Sequence, residues 1–169
     1  MNIFLVGFMG SGKSSLGVKM ARRLGREFID LDQAITDHEG MSISEIFDQN
    51  GEEHFRKVES NLLKRFTSDM EAVVALGGGS PCSEENWAFV ASNGIGIYIR
   101  ERPEVLYGRL KKKRSERPLI KGLSDTELRQ FIDVKLTERE RYYLRCDFIY
   151  EKEKTTWSFL MKQLEAYIK

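Results

Sequence analysis

The chain has 169 residues, enough to bury one substantial core, and is read as a single domain spanning 1–169. Its 27 lysines and arginines nearly balance 26 aspartates and glutamates, leaving a net charge of +1, so no global charge directs it to nucleic acid or to an anionic membrane. Cys82 and Cys146 lie far apart and outside any metal-ligand spacing, and no apolar run approaches the ~20 residues of a membrane span. With reduced thiols and no basic targeting region ahead of the first motif, the expectation is a cytoplasmic enzyme.

Asn2–Val6 opens the chain as a short apolar run, with a strand over Ile3–Val6. Gly7-Phe8-Met9-Gly10-Ser11-Gly12-Lys13-Ser14 follows, a glycine, four free positions, then Gly-Lys-Ser. That spacing is a phosphate-binding loop. Its glycines let backbone N–H groups curl around an anion, Lys13 can reach the β/γ oxygens, and the Ser14 hydroxyl can ligate Mg²⁺. Leu16, Met20, Ala21 and Leu24 recur at helical spacing, which predicts a helix over 13–24 with Gly25 as its stop. A helix amino end would then face the anion.

Further strands are predicted at Glu27–Ile29, Ala72–Leu76, Gly96–Ile99 and Phe148–Tyr150. Helices fill the gaps at 33–38, 44–50, 52–67, 84–92, 103–113, 124–145 and 155–168, with a capping box at Ser42–Glu45 and Pro103 in a first turn. Short central strands alternating with helices indicate a three-layer α/β/α P-loop fold around about five parallel strands. Right-handed crossovers would gather residues 7–14, 30–32, 77–80 and 100–103 at one edge of the sheet.

Each of those strand ends carries chemistry. Asp30 and Asp32 are two residues apart, and on an extended segment both would share a face. One carboxylate could hold a Mg²⁺-bound water and the other accept a substrate hydroxyl or its proton; Asp32 could equally cap the helix 33–38. Arg56 and Glu59, three apart beside the apolar residues Phe55, Val58, Leu62 and Phe66, are either an exposed ion pair or a carboxylate-binding arginine with its partner. Gly77-Gly78-Gly79 suits either a turn or a backbone held close to a ligand. No Asp-x-x-Gly ends this strand, which argues against a GTPase. The basic stretch 111–122 is either a solvated loop or a mobile lid that brings Arg117 over a transferring phosphate, with Pro118 holding Arg117 extended. Arg139, within Glu138-Arg139-Glu140-Arg141, reads from composition as part of a charged helix end.

Taken together, Gly-Phe-Met-Gly-Ser-Gly-Lys-Ser-Ser-Leu-Gly (7–17), Phe-Ile-Asp-Leu-Asp (28–32), Gly-Met-Ser-Ile-Ser-Glu-Ile-Phe (40–47), Gly-Glu-Glu-His-Phe-Arg-Lys-Val-Glu (51–59), Leu-Gly-Gly-Gly (76–79), Arg-Pro-Leu (117–119) and Glu-Arg (138–139) resemble shikimate kinase, over nearly the whole chain. The resemblance implies ATP-dependent phosphorylation of the shikimate 3-hydroxyl, with Mg²⁺ as cofactor, ATP and shikimate as small-molecule partners, and a monomer. It implies that Gly10, Ser11, Gly12, Lys13, Ser14 and Ser15 wrap the ATP phosphates, with Arg109 on the nucleotide side and Arg117 closing over the phosphate bridge. Ser14, Asp30 and Asp32 would serve the metal. Asp32 would also orient or deprotonate the nucleophile. Arg56 and Arg139 would clamp the carboxylate, Glu59 would fix Arg56, the triple glycine 77–79 would touch substrate, and Phe47 and Phe55 would line the ring; the acceptor-binding helical region would span about 33–67. A kinase for another hydroxy acid, such as gluconate, and a catalytically silent nucleotide-binding module are the alternatives. No adenine contact is assigned in the segment Glu153-Lys154-Thr155-Thr156.

Overall fold

The computed structural model describes residues 1–168. Five parallel strands run in the order β2-β3-β1-β4-β5: β1 Asn2–Val6, β2 Phe28–Asp30, β3 Val73–Ala75, β4 Gly94–Arg100 and β5 Phe148–Glu151. The helices are α1 Lys13–Leu24, α2 Leu31–Glu39, α3 Ile43–Leu63, α4 Glu84–Asn93, α5 Pro103–Lys112, α6 Asp125–Tyr143 and α7 Trp157–Tyr167. The three-layer architecture expected from the alternation is present.

β1 is central and fully buried, as parallel strands covered on both faces must be. Its alternating side chains seed two cores. Phe4 and Val6 pack with Val74, Leu76 and the apolar faces of α2, α3 and α4. Ile3 and Leu5 point the other way, into Val73, Ile97, Ile99 and residues of α1 and α7. A third cluster joins Phe8, Leu106, Leu110, Ile120, Leu128 and Ile132, and it seats the stretch 111–122 on the body of the protein through the buried Ile120.

Several boundaries differ from expectation, each for a local reason. β2 ends on Asp30 rather than Ile29, because the Asp30 side chain caps α2 by accepting from Asp32 N at 3.1 Å. Asp30 therefore holds the cap role weighed for Asp32, and Asp32 sits in the first turn of α2, not on an extended segment. The expected helices 44–50 and 52–67 form one element broken at Gly51, where φ is 81° and ψ 172°. That element stops at Leu63, because the buried Asn2 side chain pulls the following chain into a turn: its Nδ2 donates to Phe66 O and Thr67 O, both at 2.8 Å, and its Oδ1 accepts from Ala72 N at 2.9 Å. Serine and threonine caps trim α6 to start after Ser124 and α7 after Thr156. The Ser42–Glu45 capping box forms as expected. The stretch 111–122 holds two short 3-10 turns, Arg114–Glu116 and Pro118–Ile120, with Arg117 extended between them (φ −124°, ψ 111°), as the following proline requires.

Candidate active site

β1 feeds directly into the glycine loop. Gly12, the N-cap of α1, has φ 100°, a left-handed value costly for any residue with a Cβ. It turns the chain so that loop amides and the amino end of α1 face one cradle. Across the cradle Lys13 Nζ donates to Gly7 O at 2.8 Å and Phe8 O at 3.1 Å. Burial pushes this ammonium down to about 8, with Asp32 opposing the shift and Arg117 adding to it. Ser14 Oγ donates to Asp30 Oδ2 at 2.6 Å. Arg109 of α5 donates to Gly10 O at 2.8 Å and pairs with Glu101 at 2.9 Å.

A cavity of about 390 Å³ adjoins this cradle, and Lys13, Ser14, Ser15, Asp30, Arg109 and Arg117 are on its wall. Gly10 and Gly12 contribute backbone there. Ser11 is placed differently: its side chain is buried, its hydroxyl has no partner, and it lines a neighbouring cavity of about 420 Å³ beside Arg109, Lys19 and Trp157. The Ser11 backbone N–H donates to Phe8 O at 3.1 Å, so the structure does not place Ser11 on the wall of the cradle cavity.

A second cavity of about 260 Å³ opens beyond the triple glycine. Phe47 and Phe55 form one wall, with ring centroids 4.9 Å apart. Arg56 and Arg139 lie on the wall as well, and Pro118 and Leu119 approach from the lid stretch. The Arg56–Glu59 pair is not exposed on both sides. Glu59 is 1% exposed, its Oε2 accepts from Arg56 Nη1 at 2.8 Å, and its Oε1 accepts from Ser80 Oγ. Burial works against the Arg56 charge, yet Glu59 and Glu52 together hold the guanidinium above its ordinary value. A Cβ on Gly79 would come within 2.8 Å of Arg56 Nη1, so glycine is what lets the turn lie against the arginine. Arg139 is not part of a charged ladder on α6, because its neighbours pair elsewhere: Glu138 with Lys135 at 2.7 Å and Glu140 with Arg100 at 2.9 Å. Its guanidinium instead lies 5.5 Å over the Phe8 ring, near Gly78. Gly78 O accepts from Tyr143 Oη at 2.5 Å, which fixes the glycine turn to α6.

The two cavities meet. Met9, Asp32, Gly77, Gly78 and Arg117 line both. Asp32 is half-buried there, and burial first, then the neighbouring Asp30 and Glu59 charges, raise its carboxyl above the ordinary value against the pull of Lys13. A carboxylate and an arginine thus stand on the wall common to the glycine-loop cavity and the cavity that carries Arg56 and Arg139. Ser14, Asp30 and Asp32 offer hard oxygen donors suited to Mg²⁺. No group of three His, Cys, Asp or Glu gathers for a metal among the described residues.

The sequence reading names Pro118 with Arg117 at the working end of the stretch 111–122 but gives no contact role to Ser80, Met9 or Leu119. Ser80 could have been suspected as the polar residue directly after three glycines. Met9 lies inside the glycine-loop motif and Leu119 inside Arg-Pro-Leu, and nothing in the sequence sets either apart from its motif neighbours. His38 and His54 fall on helices, with His54 Nε2 2.8 Å from Glu39 Oε2. Cys82 and Cys146 are unpaired thiols, and burial pushes Cys82 up to about 11. No helix among the described residues is long and apolar enough to cross a membrane.

Comparison with known proteins agrees with this geometry. The family model described as shikimate kinase matches residues 9–168. A shikimate kinase of Parabacteroides distasonis is 37% identical over 152 residues, covering 90% of this chain and 88% of the relative. The structure of shikimate kinase from Acinetobacter baumannii in complex with shikimate superposes with a TM-score of 0.87 at 32% identity, covering 99% of this chain and 92% of that one. Shikimate kinase from Bacteroides thetaiotaomicron superposes with a TM-score of 0.85 at 34% identity, covering 99% and 98%.

Proposed function

The chain belongs to the shikimate kinase family, and we propose that the two joined cavities carry its reaction, the ATP-dependent phosphorylation of shikimate on the route to chorismate and the aromatic amino acids. The carrying observation is the wall that the two cavities have in common, with Asp32 and Arg117 on it. The larger cavity takes the ATP phosphates against Gly10–Ser15, with Arg109 on the nucleotide side. The smaller one takes shikimate.

In the acceptor cavity, Arg56 and Arg139 hold the carboxylate. Glu59, itself fixed by Ser80, keeps the Arg56 fork oriented, and an arginine held in this way can bind a carboxylate by two parallel hydrogen bonds. Phe47 and Phe55 cover the apolar side of the ring. The backbone of Gly77–Gly79 lies close to the substrate, and Asp32 accepts the proton of the 3-hydroxyl. Its raised basicity suits that task, because a proton acceptor works best when its affinity for the proton is well above that of an ordinary exposed carboxylate. Lys13 and Arg117 place positive charge where the transferring phosphoryl group gathers negative charge. Mg²⁺, held by Ser14 with Asp30 and Asp32 in its water shell, would neutralise charge on the phosphates. The stretch 111–122 acts as a lid that excludes water, the protein works as a cytoplasmic monomer, and it forms one domain.

Separate calorimetric titrations of shikimate alone and of Mg²⁺-ATP alone into wild type and Arg56→Ala test the acceptor half. The variant is expected to bind shikimate roughly 10²-fold more weakly or worse while binding ATP normally. Unchanged shikimate affinity would remove Arg56 from the site.

A further inference from the structure

The basic run Lys111-Lys112-Lys113-Arg114 at the root of the lid is divided by the fold. Lys111 and Arg114, three residues apart, turn to the same carboxylate across the lid: Lys111 Nζ lies 2.5 Å from Asp125 Oδ2, and Arg114 Nη2 donates to Asp125 Oδ1. Arg114 Nη1 also donates to Leu123 O at 2.5 Å. These contacts tie the start of the lid to its end, because Asp125 is the first residue of α6. The Asp125 carboxyl is held well below the ordinary carboxylate range by its hydrogen bonds to Lys111 and Arg114. Lys112 and Lys113 go the other way. Both line the nucleotide cavity with Lys13, Arg109 and Arg117.

We propose that Lys112 and Lys113 are nucleotide-binding side chains that add positive charge around the ATP polyphosphate, and that Asp125 is the positioning residue that turns them there. The proposal rests on the reading of the larger cavity as the ATP site. It follows from geometry in a short run of like charges. Four consecutive cations repel one another, and with one carboxylate gathering the first and fourth, the second and third are presented on the opposite side, where the cavity wall is already cationic and a polyphosphate is the complementary ligand. The anchor is independent of the helix cap beside it, since Ser124 and Glu127 cap α6 reciprocally. Replacement of Asp125 therefore leaves the Ser124–Glu127 capping box of α6 in place.

The test is calorimetric titration of Mg²⁺-ATP and, separately, of shikimate into wild type, Lys112→Gln/Lys113→Gln, Asp125→Asn and Asp125→Glu, at low and high ionic strength, with steady-state kinetics of the same proteins for KM. The double variant is expected to bind ATP roughly 5- to 20-fold more weakly at low salt, with the gap closing near 0.5 M salt, where charges are screened over a few ångströms. Its shikimate affinity should stay within about twofold. Asp125→Asn is expected to raise KM for ATP about 2- to 5-fold while KM for shikimate holds, and Asp125→Glu to restore it. Unchanged ATP affinity in the double variant, or an equal loss for shikimate, would overturn the lysine assignment. Wild-type KM values in Asp125→Asn would overturn the positioning role. If the wild type itself fails to bind ATP, the nucleotide reading falls as well; binding by wild type and double variant alike sinks the lysines only.

Discussion

Arg56 has two carboxylate partners of different weight. Glu52 is more than half exposed and bonds its outer edge at 3.0–3.2 Å, whereas Glu59 is buried and bonds Nη1. Exposed pairs contribute little, and loss of one buried partner leaves an uncompensated charge. Glu52→Gln is therefore expected to leave KM for shikimate within about threefold, and Glu59→Gln to raise it at least tenfold with lower thermal stability. Equal effects in steady-state kinetics would contradict the orienting role of Glu59. Lys13 makes an opposite bargain. Its folded-state value lies near 8 against an ordinary 10.5, so the unfolded chain binds more protons between those values and stability rises with pH across that window. Below pH 8 the buried charge is a full penalty. Lys13→Met is expected to abolish turnover yet unfold about 1–3 kcal/mol harder at pH 7, an advantage that shrinks as pH rises from about 8 to 10.5. A melting series against pH checks it, and a variant destabilised at every pH would contradict it. Asp32 has a raised folded value, so the fold disfavours its charge and stability falls as pH rises through the window above 3.8. Activity should move the other way, with an acid limb above the ordinary carboxylate value that disappears, along with most of kcat, in Asp32→Asn.

At the level of elements, Asn2 is the residue whose role reaches furthest along the chain. Its buried amide binds three backbone groups between Phe66 and Ala72, joining the end of α3 to the start of β3. Asn2→Ala strands those groups and is expected to cost about 2–4 kcal/mol, a melting fall of roughly 4–16 °C. A shift under 1 °C would mean that the turn holds itself. This turn shows where sequence reasoning stopped. The apolar pattern of Phe55, Val58, Leu62 and Phe66 is continuous, so a helix to residue 67 was the reasonable expectation; the force that ends it comes from a residue 64 positions earlier in the sequence. The Asp30–Asp32 pair was readable as a site, but a side chain turning back on Asp32 N moved the helix start and exchanged the roles. Gly51 and Pro118 were more legible because their effects are local: the helix breaks at one, and the other holds Arg117 extended. Arg139 was opaque from composition. Its freedom depends on Glu138 and Glu140 finding Lys135 and Arg100, and only the latter contact is long-range.

In the whole molecule, function follows from strand order. β1 lies between β3 and β4, so the glycine loop after β1 and the triple glycine after β3 emerge side by side at the same sheet edge. The two cavities have wall residues in common because their loops belong to adjacent parallel strands. The stretch 111–122, seated through Ile120, adds Arg117 to that common wall. Arg117→Ala is accordingly expected to lower kcat by roughly 10²–10³-fold with little change in shikimate affinity. The most direct test of the account is a coupled ADP-release assay with Mg²⁺-ATP, offering shikimate, gluconate or no acceptor in parallel. ADP release that depends on shikimate alone is the expected result. Release driven equally by gluconate, or independent of both acids, would contradict the assignment of the smaller cavity to shikimate while leaving the phosphate cradle standing.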